Sequence, residues 1–363
     1  MNKNKPEWAP VGSGEEFATE VVSGLKGAIK SAQTKKRPYS PTVSALKEGI
    51  INGDLPLLAR AITLVESASK QHLEQSQKLI KELLPYTGKS IRIAISGPPG
   101  AGKSSFIDSI GEILCNNGKK VAVLAVDPSS TLSGGSILGD KTRMERLSRC
   151  ENAFIRPSPS GGVLGGVARK TRETILLCEA AGFDTIFIET VGVGQSEINV
   201  RSMVDFFLLL LLPGSGDELQ GVKKGVVEIA DALAINKADN SPLIASLTQK
   251  AYIEALHYLI NEERSIPPKV FLSSAIKGDG IKDIWEEIVS FTQIMKENGK
   301  FDKQRKEQTI EWIISTVEEN IINDFYSNPE VAKLIPTIKE QSILGKITPT
   351  SAVMELLKAY KQK

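Results

Sequence analysis

Eight residues, Gly97-Pro98-Pro99-Gly100-Ala101-Gly102-Lys103-Ser104, constrain this chain more than any other feature. They fit the spacing GxxxxGK[ST] at every fixed position, after an apolar run at 91–96 and before a helical pattern at 105–115. A strand that ends in such a loop and passes into a helix turns backbone N–H groups inward around an anion. The helix N-terminus adds a dipole that favours negative charge. Lys103 is then expected to reach the β- and γ-phosphates of a nucleotide, and the Ser104 hydroxyl to ligate Mg²⁺. Ser105 extends the contact into the first helical turn. The loop therefore demands a strand–loop–helix unit, and with it a parallel sheet.

The rest of the chain supplies that sheet. From Ile91 onward, short apolar runs at 91–96, 121–126, 185–189, 204–212, 232–236 and 270–273 alternate with amphipathic stretches. This alternation predicts parallel strands with helical crossovers, a doubly wound, mostly parallel α/β domain over 90–298. Residues 1–41 are polar and read as a loosely ordered lead-in. A helical segment over 42–89 comprises a helix at 42–51 and a second, capped by Asp54, that stops by Pro85. After Asn298 the strand signals end, and 299–363 reads as a helical arm. Its helices at 303–326 and 351–361 are separated by Pro329, Pro336 and Pro349. Ile310, Ile313, Ile314, Val317 and Ile321 recur there at helical spacing, a stripe that needs a covering surface.

Composition narrows the function. The chain has 363 residues, of which 41% are hydrophobic, enough for a full core. With 45 Lys+Arg against 43 Asp+Glu there is no electrostatic footprint for nucleic acid or anionic membrane. Cys115, Cys150 and Cys178 form no CxxC and no even framework, which favours a reducing compartment. With only His72 and His257, any metal is expected on oxygen ligands. The first residues carry no secretory apolar core, and 1–40 holds four glutamates against one arginine, unlike a mitochondrial presequence. No apolar run approaches the ~20 residues that span a bilayer. A cytoplasmic protein without membrane attachment is expected.

The base is chosen by Asn236-Lys237-Ala238-Asp239, an NKxD that follows the strand at 232–236. The Asp239 carboxylate can accept both N1–H and the exocyclic amine of guanine, which adenine does not offer. Asn236 can serve the opposite edge, and the Lys237 stem can lie along the base plane. Ser273-Ser274-Ala275-Ile276 follows a later strand and can bring a backbone N–H to guanine O6. A site with such buried acceptors rejects an analogue without the donors by orders of magnitude. GTP is the expected ligand.

Mg²⁺ needs acidic partners at strand ends, and Asp127 and Glu189 close two of them. Asp140 reads either as a helix cap or as a third acidic ligand. Three glycine-rich loops, 129–139, 158–166 and 213–225, read as able to move with the γ-phosphate; close packing is the alternative for the second. Gln195 can orient a water, although its spacing from Glu189 departs from the small-GTPase arrangement. Lys223 reads either as a cation brought to the phosphates when a partner orders the third loop, or as the solvated start of a helix at 222–230. His257 reads as an ordinary helix residue.

GPPGAGKSSFID, VDPSS, GGSILGDKTRM, RPSPSGGVLGGVA, ETVGVGQSE, PGSGDELQGVKKGVVEIAD and INKAD together resemble the MeaB/ArgK family of P-loop GTPases, from about Thr42 to the C-terminus. The resemblance implies a GTPase chaperone of an adenosylcobalamin-dependent acyl-CoA mutase, most often methylmalonyl-CoA mutase. It would gate cofactor delivery and protect the mutase. The resemblance places Glu189 in the Walker-B position, Asp127, Asp140 and Glu189 in the metal and switch network, and Gln220 and Lys223 in a loop that senses the mutase. It also implies a homodimer built through the C-terminal helices. Rival readings are a kinase-like component of basic amino-acid transport and a nickel-insertion GTPase.

Overall fold

The computed structural model describes residues 41–67, 69–126, 144–156, 164–190, 196–215, 224–259 and 266–361. All of these residues except Pro41 belong to one unit, Thr42–Lys363. Its centre is a seven-stranded sheet, all parallel, in the order β3-β2-β4-β1-β5-β6-β7. The strands are β1 Ile91–Ser96, β2 Val121–Val126, β3 Ala153–Arg156, β4 Thr185–Thr190, β5 Phe206–Leu211, β6 Ala232–Ile235 and β7 Lys269–Leu272. This is the α/β architecture that the alternating pattern predicts.

The apolar run in β5 shows why the sheet lies between two layers. Successive side chains leave a strand on opposite faces. Phe206, Leu208 and Leu210 accordingly join one buried cluster, and Phe207, Leu209 and Leu211 the other. Both faces of a parallel sheet must be covered, so such a strand reads as continuously hydrophobic. The first face is covered by α4 (Lys103–Asn116) and α9 (Ile281–Glu297), through Phe106, Ile110, Ile284 and Ile288. The second carries α1 (Val43–Ile51), α2 (Leu55–Glu66), α3 (Lys70–Leu83) and α5 (Leu164–Ala180). Shorter helices α6 (Ser196–Arg201) and α7 (Lys224–Ile229) and the long α8 (Pro242–Leu259) complete the crossovers. His257 lies on α8, as expected.

Three sequence expectations need correction. The second N-terminal helix is two helices, because the chain turns extended at Ser67, whose Oγ accepts from Ser69 N–H at 3.3 Å and lies 2.7 Å from His72 Nδ1. Serines favour caps over helix interiors for this reason. The prolines of the arm do not separate helices in the way expected. After α10 (Lys300–Ser327), Pro329 opens α11 (Pro329–Ile343) and Pro349 opens α12 (Pro349–Lys361). At the first helical position a missing N–H costs nothing. Pro336 lies inside α11. Finally, the helix over 141–148 that Asp140 would cap is, among its described residues, only a turn leading into a 3₁₀ segment, Leu147–Arg149.

At the N-terminal edge of the sheet the arm is fastened by a buried ion network. Arg305 on α10 donates to both carboxylate oxygens of Asp205 at 2.8 and 2.7 Å, and to the carbonyls of Gly88 and Ser90. Beside it, Arg92 donates twice to Glu179, which also accepts from Ser90 Oγ and Gly88 N–H. Burial pushes the Glu179 carboxyl up, but Arg92 and these hydrogen bonds outweigh it and hold the group below the usual carboxylate range. Past this clasp Gln308 still donates to the Val204 carbonyl at 2.7 Å and Trp312 lies under the Arg172 guanidinium, but another face of α10 is open. Ile310, Ile313, Ile314, Val317 and Ile321 are each more than half exposed, so the chain's own described residues do not cover the stripe.

Candidate nucleotide site

All seven strands point the same way, so the loops after β1, β4, β6 and β7 leave from one edge. There the motifs read from the sequence converge. Ser96 ends β1, and the loop Gly97–Gly102 passes directly into α4. Two of its glycines are required by geometry. A Cβ on Gly97 would stand 2.2 Å from the carbonyl oxygen of Leu210, and one on Gly102 would stand 2.6 Å from Asn236 Nδ2. Gly102 also holds φ +86°, a left-handed conformation that glycine adopts at little cost.

Lys103, only 8% exposed, folds back over this loop. Its Nζ donates to the carbonyls of Gly97 at 2.8 Å and Pro98 at 3.2 Å. Burial lowers the pKa of its ammonium, and the charges of Glu189 and then Glu197 act against that. Ser104 Oγ donates to Glu189 Oε1 at 2.7 Å, so a hydroxyl from the first turn of α4 and a carboxylate from β4 meet. The neighbouring strand ends are pinned by a buried hydrogen bond from Thr190 Oγ1 to Ser96 Oγ at 3.0 Å.

The NKxD motif is tied to the phosphate loop by Asn236. Its Nδ2 donates to the carbonyl of Ala101 at 2.7 Å, and its Oδ1 accepts from Ala275 N–H at 3.2 Å and Ser273 Oγ at 3.3 Å. One buried amide thus holds three segments in register, a role that the spacing alone did not reveal. Lys237 takes φ +59°, and Ala238 N–H donates to Ser273 C=O. Asp239 remains partly accessible, with Lys277 Nζ 3.8 Å away. Ser274 and Ala275 are buried, whereas Ile276 is exposed.

Of the residues singled out from the sequence, Gly97, Pro98, Pro99, Gly100, Ala101, Gly102, Lys103, Ser104, Ser105, Glu189, Asn236, Lys237, Asp239, Ser274, Ala275 and Ile276 lie along this edge. Asp127, Asp140 and Lys223, with Gln195 and Gln220, lie outside the described residues, as does the loop at 129–139 and most of those at 158–166 and 213–225. Glu197 was missed. It is a fully buried carboxylate on α6, and no hydrophobic period marks it as a partner of Lys103.

A phosphate loop on a parallel sheet, joined by one asparagine to a guanine-type base motif, defines a P-loop nucleotide hydrolase of the guanine class. The family described as methylmalonyl Co-A mutase-associated GTPase MeaB matches residues 58–330, and the chain belongs to it. It is 46% identical over 280 residues to GTPase ArgK of Escherichia coli, covering 77% of this chain and 84% of that one. It is 44% identical over 354 residues to the methylmalonic aciduria type A homolog, mitochondrial, of Mus musculus, covering 94% and 85%. Among solved structures it resembles that of a LAO/AO transport system kinase, with 35% identity and a TM-score of 0.71, over 87% of this chain and 96% of that one. The protein is a GTPase that binds guanine nucleotide.

Proposed function

We propose that this GTPase is a chaperone of an adenosylcobalamin-dependent acyl-CoA mutase, methylmalonyl-CoA mutase foremost, and couples GTP hydrolysis to cofactor delivery and mutase protection. The family match over 58–330 carries the reading, and the name of the mouse relative supports it. A cytoplasmic location accords with it; among the described residues no helix is long and apolar enough to cross a membrane.

Each residue then has a task. The N–H groups of Gly97–Ser105 and the Lys103 ammonium bind the phosphates. Asp239 accepts from guanine N1–H and N2–H₂, Lys237 flanks the base plane, and the Ser274–Ile276 turn lies at O6. Asn236 keeps base and phosphate subsites at a fixed separation. The Ser104 hydroxyl and Glu189 carboxylate, already 2.7 Å apart, form the beginning of a hard-oxygen donor set that suits Mg²⁺. Asp127 and Asp140 are proposed to complete it. When bound, Mg²⁺ neutralises charge that develops on the phosphate oxygens. Lys223, in the loop that a partner would order, is proposed to add a cation at the γ-phosphate, with Glu189 and Asp127 among the catalytic groups.

The exposed isoleucine stripe of α10 is proposed to pair with a second copy, giving a homodimer. Ile314→Glu should produce monomers in sedimentation, and a variant that stays dimeric would place the interface elsewhere.

The test of function is GTP turnover with and without purified adenosylcobalamin-dependent mutases. Stimulation by one of them, lost in Lys223→Ala while GTP affinity stays near normal, is expected. A lack of binding and stimulation with every mutase would overturn the reading. Similarity to the LAO/AO transport system kinase carries a second reading, a kinase in transport. Transfer of the γ-phosphoryl group to a protein instead of to water would favour it.

A further inference from the structure

A cleft of about 340 Å³ lies between α5, α6 and the middle of α10. Both α6 and α10 pack on α5, and none of the lining residues belongs to the nucleotide edge. Pockets that bury a small ligand measure roughly 300–1,000 Å³, so the cleft suits a small molecule. One wall is cationic. Arg169 and Arg172 stand three residues apart on α5, hence on one face of the helix, and both line the cleft. Arg172 is held in place from two sides. Its Nη2 donates to the Ser202 carbonyl at 3.2 Å and to Ser202 Oγ, and its guanidinium lies over the Trp312 ring, 5.7 Å from the centroid. These contacts use only part of its N–H donors. The Nε of both arginines is buried without a hydrogen-bond partner. Burial holds the Arg172 guanidinium below its ordinary pKa; Glu311 acts against this, and Arg92 acts with it. A guanidinium keeps its proton even so, and such a wall is stabilised by an anion that comes to it.

We propose that this cleft binds a small organic monocarboxylate, whose oxygens accept from Arg169 and Arg172 and whose carbon chain lies along Trp312. The planar fork of a guanidinium matches the two oxygens of a carboxylate. The acids of the lining decide against a more highly charged ligand. Glu311 and Glu319 stand on α10, across the cleft from the arginines, and Glu311 is exposed. They leave room for one added negative charge and repel the two of a phosphate. Trp312 and Ile198 supply the apolar surface that a hydrocarbon chain needs. A ligand seated here touches α6, the helix after the Glu189 strand, and α10, which bears the exposed isoleucines.

The chain's tryptophans are Trp8, Trp285 and Trp312, so Trp8→Phe with Trp285→Phe leaves Trp312 as the sole indole emitter. Titration of that full chain with acetate, butyrate and hexanoate at fixed ionic strength should change its emission saturably. Affinity should rise by roughly threefold for each methylene that the cleft buries. Hexanamide and inorganic phosphate should give no saturable change. Arg169→Gln, which leaves Arg172 stacked on Trp312, should weaken hexanoate about tenfold. No saturation with any of the three acids would overturn the proposal. So would binding of hexanamide or phosphate as tight as that of hexanoate, or unaltered hexanoate affinity in a folded Arg169→Gln. Should that variant not fold, Arg172→Lys takes its place. It keeps the charge and gives up the fork, and should weaken hexanoate about threefold; no weakening would again overturn the proposal. Should the phenylalanine substitutions prevent folding, calorimetry on the chain with all its tryptophans reads the same series, with the same outcomes for and against.

Discussion

The two edges of the sheet are both rich in charge, yet they use it differently. At the N-terminal edge, Arg305, Asp205, Arg92 and Glu179 are joined to one another and to Gly88 and Ser90, with Asp205 and Glu179 almost wholly buried. At the C-terminal edge, Lys103 rests on two carbonyls of its own loop, and Ser104 rests on Glu189. Those contacts are ones that phosphate and cation can replace. The first edge is saturated and fastens an arm; the second is provisional and receives a ligand. Marginal stability allows this division only if the exchangeable edge is small and the rest of the sheet is rigid.

The largest effect should come from the fastened edge. Arg305→Ala removes the guanidinium that pairs with both oxygens of the buried Asp205 and should lower unfolding free energy by about 3–5 kcal/mol. Chemical denaturation would measure it, and KM for GTP should hold in the folded fraction. A small loss would mean that the two edges are not so different. Lys103→Ala should do the reverse, lowering GTP turnover by roughly 10²–10³-fold, or about 3–4 kcal/mol, with little change in stability. The same assays exchange their outcomes between the two variants.

A milder probe is pH. The Glu179 carboxyl is held below its ordinary value of 4.5, so its contribution is complete above that pH and disappears as the pH falls through the folded-state value. Wild type should therefore lose stability steeply below about pH 4.5, and Glu179→Gln, weaker at neutral pH, should show a shallower slope in acid melts. Smallest of all, Asp54→Ala removes a cap that accepts from Leu57 N–H at 2.9 Å and belongs to neither edge. It should cost about 1 kcal/mol and leave turnover untouched.

The exchangeable edge was far more legible in the sequence than the fastened one. Phosphate and guanine impose fixed spacings on contiguous residues, so the loop at Gly97–Ser104 and the NKxD at Asn236–Asp239 can be read locally. Most strands were legible for a related reason: strands covered on both faces must be apolar throughout. β3 was missed because it is a four-residue edge strand, none of it fully buried, that carries no such run. Arg305 and Asp205 lie 100 residues apart, and no local period encodes a pairing across that distance. Glu197 escaped for the same reason, since burial, and not spacing, brings its charge to Lys103. The break at Ser67 and the continuation of helix through Pro336 turned on caps and local geometry, which periodicity does not weigh.

The account depends most on the claim that the C-terminal edge is built around guanine nucleotide, with Asp239 as the group that reads the base. The direct measurement is phosphate release from GTP, ATP and XTP by the wild type and by Asp239→Asn. Wild type should turn over GTP and leave ATP untouched, and the variant should lose GTP by orders of magnitude while gaining XTP, because the new amide donates where the carboxylate accepted. Comparable turnover of GTP and ATP by the wild type, or a variant that still prefers GTP, would contradict it.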